Sequence, residues 1–153
     1  MASATQRKIF VNLAVEDLER SVEFFTKLGF RFDPRFTDEQ ATCMIVSDEA
    51  FVMLLVEDRF KDFTNKKLCD ATTHTEAIFA LSAESREEVD QLVHKALTAG
   101  GQPSREPTDH GFMYESSFQD PDGHMWEVIW MDPSALEQEQ EQQPQTAEAP
   151  ATT

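Results

Sequence analysis

The chain reads as an α+β protein made of two copies of a βαβββ module, and three observations carry that reading. Apolar or alternating runs of four to eight residues recur between turn-forming residues, as strands do. Two stretches, after Asp17 and after Ser85, place apolar residues at helical spacing. The order of one strand, one helix and three strands occurs in residues 8–57 and again in residues 76–131. Two such curved sheets, each with its helix outside, would face each other across a cup.

The elements follow in order. Ile9–Val15 alternates, with Phe10, Asn12 and Ala14 on one face and Val11, Leu13 and Val15 on the other. Leu18, Val22, Phe25 and Leu28 then share one face of a helix that Gly29 ends, because glycine adopts the positive φ of a C′ residue at no steric cost. Phe30–Arg35, Ala41–Ser47 and Phe51–Glu57 read as strands, and Phe51–Val56 is apolar on both faces, as a central strand is. A polar, lysine-bearing connection runs from Asp58 to Thr75.

In the second module Glu76–Ala83 reads as a strand. Ser85 and Glu88 form a capping box ahead of Val89, Leu92, Val93, Ala96 and Leu97, and Gly100-Gly101 stops that helix. Gln102–Glu106, Phe112–Gln119 and His124–Met131 are the remaining strands. From Asp132 the composition turns to Glu, Gln, Pro, Ala and Thr, too polar to offset its ordering entropy, so the domain is expected to span residues 1–134 and residues 135–153 to be a disordered tail, within which Leu136–Gln143 could prolong a short helix that nothing partners.

The net charge of −16 argues against nucleic acid and anionic membrane as partners, which both call for a cationic surface. Residues 133–153 hold four Glu and no Lys or Arg, so the rest still carries −12 and favours neutral or cationic ligands. Cys43 and Cys69 form no CxxC pair and read as reduced thiols. The first residues lack the apolar core of a signal peptide, and no run approaches the ~20 apolar residues of a membrane span. A cytoplasmic protein is expected.

The chemistry concentrates near the end. Asp120-Pro121-Asp122-Gly123 is a turn signal, and it opens the apolar run Met125–Met131, interrupted by one acid, Glu127. A carboxylate in an apolar strand is costly to bury alone. Glu127 therefore reads as a metal ligand, as a ligand-binding or proton-transferring carboxylate, or as a structural acid bonded to a neighbour. Among the histidines, His94 reads as surface and His124 as structural, His74 could reach the cup mouth beside Glu76, and His110 could line its entrance. Phe60 and Phe63, in the long connection, could cap the mouth as a lid. No phosphate loop, GxSxG, Cys/His nucleophile or zinc pattern is present.

The two modules, the segment Asn12–Phe30 and the late Asp-Pro-Asp-Gly-His with its Glu together resemble the vicinal oxygen chelate superfamily, which includes glyoxalase I, bleomycin-resistance proteins and extradiol dioxygenases. The resemblance covers about residues 8–131. Its metal-dependent members hold an ion with one ligand from each of four strands; here those positions fall on Phe10, near Met53, near Ile78 and on Glu127. Phenylalanine and isoleucine cannot ligate, and a thioether is a poor ligand for Zn, Ni, Mn or Fe(II). Glu127 alone matches, so no metal or other cofactor is expected. What the resemblance implies is a glyoxalase-like cup with Phe10, Asn12, Met53, Ile78, Tyr114 and Glu127 against a small-molecule ligand, Phe10 and Tyr114 stacking on a planar or cationic group. It further implies a homodimer. If the protein is an enzyme, Glu127 is the catalytic group. The competing expectation is a divalent-metal lyase or isomerase of the lactoylglutathione lyase type, or a dioxygenase.

Overall fold

In a computed structural model that describes residues 6–142, the two modules form separate mixed sheets. In the first, β1 (Ile9–Val15) lies parallel to β4 (Ala50–Val56), and β3 (Ala41–Ile45) and β2 (Arg31–Asp33) extend it antiparallel, in the order β1-β4-β3-β2. The second repeats the plan. There β5 (Ile78–Ser82) is parallel to β9 (Met125–Met131), and β8 (Met113–Gln119) pairs antiparallel with β9. β8 also pairs with two short pieces, β6 (Gln102–Pro103) and β7 (Thr108–Asp109).

Helix α1 (Leu18–Lys27) begins where the Asp17 side chain accepts the Arg20 N–H, and α3 (Arg86–Thr98) where the Ser85 side chain accepts that of Glu88. Both helices turn their apolar stripes into one shared core. Trp126 sits at its centre, with ring centroids 5.3 Å from Phe25, 5.1 Å from Phe79 and 6.4 Å from Phe118. Phe24 and Phe25 of the first module thus pack on Phe118 and Trp126 of the second, so the halves cannot separate without opening the core. Burying one such indole removes ~200 Å² from water, an upper estimate of about 5 kcal/mol.

Several boundaries differ from the sequence expectation for stated reasons. β2 ends at Asp33 because Pro34 opens a 3-10 turn over Pro34–Phe36. The expected strand Gln102–Glu106 is reduced to two residues, since Pro103 and Pro107 offer the sheet no N–H. The connection after β4 begins with a short helix, α2 (Glu57–Phe60), and a 3-10 turn (Lys61–Phe63). Pro133–Gln142 is a helix, α4, where a disordered tail was expected: Asp132 accepts the Ser134 N–H at its start, and Glu and Gln favour helix. Residues 143–153 of the expected tail lie outside the described residues. No helix among the described residues is long and apolar enough to cross a membrane.

Candidate functional site

The helices occupy one face of each sheet, leaving an outer face free. On the first sheet the register puts Phe10 beside Phe51 and Asn12 beside Met53, so Phe10, Asn12 and Met53 share that outer face. The Phe10 and Phe51 rings stack with centroids 4.9 Å apart. Phe10 is 51 % exposed, although it lies in a strand whose other face is core. On the second sheet Ala80 is beside Glu127 and Ile78 beside Met125, which puts Ile78 and Glu127 on its outer face. Ile78 is 50 % exposed. Each module therefore presents a sheet face with half-exposed apolar side chains, Phe10 on the first and Ile78 on the second.

Glu127 is held among polar neighbours. Its side chain is 16 % exposed, with Arg105 Nη1 3.8 Å from Oε1. Glu115 and Ser117 of β8 and Arg105 line a small space beside it. Farther along this face His110 Nε2 stands 3.8 Å from Glu115. The Arg105–Glu127 pair is long and open to solvent, worth at most about 1 kcal/mol, so the carboxylate stays available to a ligand cation.

Tyr114 departs from expectation. It alternates with Glu115 and so shares the face of Ser116 and Phe118, toward the helices. Its Oη donates to Asp90 Oδ1 at 2.6 Å, and that bond, with burial, pushes its phenol up from the ordinary value. Arg86 lies over both Tyr114 and Trp130, 5.4 and 4.9 Å from the ring centroids, and completes a structural cage. The error was one of phase along β8: apolar residues mark both of its faces at Met113 and Tyr114. Among the described residues Glu127 shares no cavity with Phe10, Asn12, Met53 or Ile78, so one chain alone does not converge the expected site.

The Asp120–His124 turn is a fastener. Asp120 is 2 % exposed; its carboxylate accepts the Asp122 and His124 N–H groups at 3.0 Å each and the Trp126 indole N–H at 3.1 Å. Burial pushes this carboxyl above its ordinary range. Asp122 crosses to the first module, accepting the Glu16 N–H at 2.8 Å, Arg20 Nη2 at 3.1 Å and Ser21 Oγ at 3.3 Å. His124 Nε2 meets the Ala14 carbonyl at 2.8 Å, and since a carbonyl only accepts, that nitrogen carries the proton. Gly123 has φ +93°, and a Cβ there would lie 2.7 Å from the Ala71 oxygen.

The other residues singled out scatter. His94 is exposed on α3, and His74 Nδ1 bonds Thr73 Oγ1 at 2.8 Å in the connection. His74 and Glu76 line one cavity with Phe60, and Phe60, Phe63 and Glu76 line a second; Phe63 is 68 % exposed with Arg59 over its ring. Cys43 is buried and Cys69 exposed, both free thiols.

Residues 9–128 match the Glyoxalase/Bleomycin resistance protein/Dioxygenase superfamily. The chain belongs to that superfamily. A solved hypothetical protein of S. aureus is 31 % identical, with TM-score 0.70, over 84 % of this chain and 95 % of that one. A glyoxalase-related enzyme from Fulvimarina pelagi shares the fold at 20 % identity and TM-score 0.70, covering 82 % of this chain and 88 % of its own. Lactoylglutathione lyase from Agrobacterium tumefaciens does so at 15 % identity and TM-score 0.60, with 83 % and 95 % covered. No protein of curated function matches the chain.

Of the residues singled out on these outer faces, Phe10 and Ile78 bring no donor, Met53 brings only a thioether, and Glu127 has Arg105, a cation, as its neighbour. Among the described residues no three His, Cys, Asp or Glu side chains stand where an ion could be held. This donor set does not fit a divalent cation.

Proposed function

We propose that this glyoxalase-superfamily chain binds a small neutral or cationic aromatic molecule in an apolar cup, without a metal, and sequesters it with no bond cleaved. The observation that carries the reading is the pair of half-exposed sheet faces, one bearing the stacked Phe10–Phe51 rings and the other bearing Ile78 and the acid Glu127, whose polar neighbours are Arg105, Glu115 and Ser117. An aromatic cation would stack on the first and be countered by the second. The half-exposed Phe10 and Ile78 support a homodimer, in which the outer face of one copy's first sheet meets the outer face of the other copy's second sheet and closes the cup. Two free thiols among the described residues support a reducing, cytoplasmic setting.

The test pairs sedimentation with calorimetry. The chain is expected to sediment as a dimer and to bind benzyltrimethylammonium, with Glu127→Gln weakening that cation about tenfold while the neutral isostere neopentylbenzene is unaffected. Phe10→Asp is expected to give monomers that bind neither. A monomeric parent that still binds, or a Glu127→Gln chain that binds the cation unchanged, would overturn the reading.

A further inference from the structure

The long connection between the modules roofs two adjoining cavities that lie apart from Glu127. The first, about 400 Å³, opens between the end of β1 and the start of β5 and is walled by Val11, Leu13, Phe60, Leu68 and Phe79. The second, about 500 Å³, adjoins it and carries Thr64, Lys66 and Lys67. Asn12, Phe60, Leu68, Cys69 and Glu76 line both, so the two share a wall. Each falls in the range of small-molecule pockets, roughly 300–1,000 Å³.

The distribution of charge along this double cavity is uneven. Its first lobe is mostly carbon, with the imidazoles of His74 and His124 on the wall, and the second of these is tied up against the Ala14 carbonyl. Its second lobe holds two lysines that have no carboxylate within 4 Å among the described residues, in a chain of net charge −16. By contrast, Arg59 and Lys61 of the same connection are paired with Asp62 and Asp58. Glu76 is the one acid on either lining, on the shared wall, and it opposes an anion there, whereas the two lysines attract one. An apolar pocket that ends at two unpaired cations complements a molecule with an apolar tail and an anionic head.

We propose that this cavity is a second binding site, for an amphipathic anion such as a medium-chain carboxylate, its tail against Leu13, Phe60 and Phe79 and its head at Lys66 and Lys67. Of the residues that form the proposed cup, only Asn12 touches it, so the two sites are separable.

The experiment is calorimetric titration of the full-length chain at low ionic strength with decanoate, decan-1-ol and decyltrimethylammonium, all below their micellar range. Decanoate is expected to bind one per chain, about tenfold more tightly than decanol, and decyltrimethylammonium more weakly than either. Raising the salt to molar concentration should remove most of decanoate's advantage, because the lysines are exposed. Octanoate should bind roughly tenfold more weakly than decanoate, from two methylenes fewer to bury. Lys66→Gln with Lys67→Gln should bring decanoate down to decanol, Glu76→Gln should tighten decanoate a few-fold, and Leu68→Trp should block both ligands. Glu127→Gln should leave decanoate unchanged, which separates this site from the cup. Equal affinity for decanol and decanoate, indifference to the paired lysine replacements, or no saturable binding would each overturn the proposal.

Discussion

Replacing Asp120 by Asn is a small change that should cost this fold a large share of its stability. The Asp120 side chain is almost wholly buried, and its two oxygens accept three N–H groups. An asparagine can keep its single oxygen on the Asp122 and His124 amides. Its NH2 group then faces the Trp126 indole N–H, and two donors meet where donor and acceptor had met. Each buried donor left without a partner costs about 1–3 kcal/mol. The amide is also easier to desolvate than a carboxylate, which offsets part of the loss. A net cost of about 2–3 kcal/mol should lower the Tm by roughly 5–10 °C in a domain of this size. Calorimetry at one fixed protein concentration is the assay, since dimer formation would shift the Tm by mass action. Asp120→Asn combined with Trp126→Phe should recover part of the loss, because the second change removes the clashing donor. A Tm within about 1–2 °C of the parent would refute the reasoning, since that is under 1 kcal/mol.

Three further outcomes follow from the same geometry. Burial holds the Asp120 carboxyl above its ordinary value of 3.8, so the folded chain keeps a proton that the unfolded chain has lost. Its stabilising contribution is therefore full below about pH 3.8 and fades as pH rises through the raised value. In urea titrations from pH 3.5 upward, the stability gap between the parent and Asp120→Asn should narrow with rising pH; a widening gap would contradict this. Gly123→Ala should cost about 2–4 kcal/mol by thermal melting, from positive φ together with a Cβ 2.7 Å from the Ala71 oxygen. Finally, Cys69 is exposed while Cys43 is buried, its thiol pushed up by that burial. A thiol reagent at neutral pH should label one cysteine per native chain and two in denaturant; two in the native chain would show the first sheet open.

Much of the fold could be read in advance because its signals are local. Ile9–Val15 alternates, Asp17 caps and Gly29 stops, and the structure places β1 and α1 accordingly. The second module repeats these signals at Ser85 and Gly100. What periodicity could not supply was phase at Tyr114, where both faces of β8 look apolar. The site was legible only in parts. Phe10, Asn12 and Met53 share a face as expected, and Ile78 and Glu127 share another, but the relation between two sheets is a tertiary fact that no strand pattern encodes. The Asp120–Gly123 turn was visible as a turn, while its bonds from Asp122 to Glu16, Arg20 and Ser21 span about a hundred residues and left no local trace. The cavity at Lys66 and Lys67 was likewise out of reach, since it forms only once the connection folds back over β1.

Among the described residues, the faces proposed to form the cup gather no set of side chains that could hold an ion. The most direct test is calorimetric titration of the metal-stripped, full-length chain with Ni²⁺, Zn²⁺ and Mn²⁺, with Glu127→Gln run in parallel. No saturable binding that depends on Glu127 is expected. One ion per chain, lost in Glu127→Gln, would contradict it.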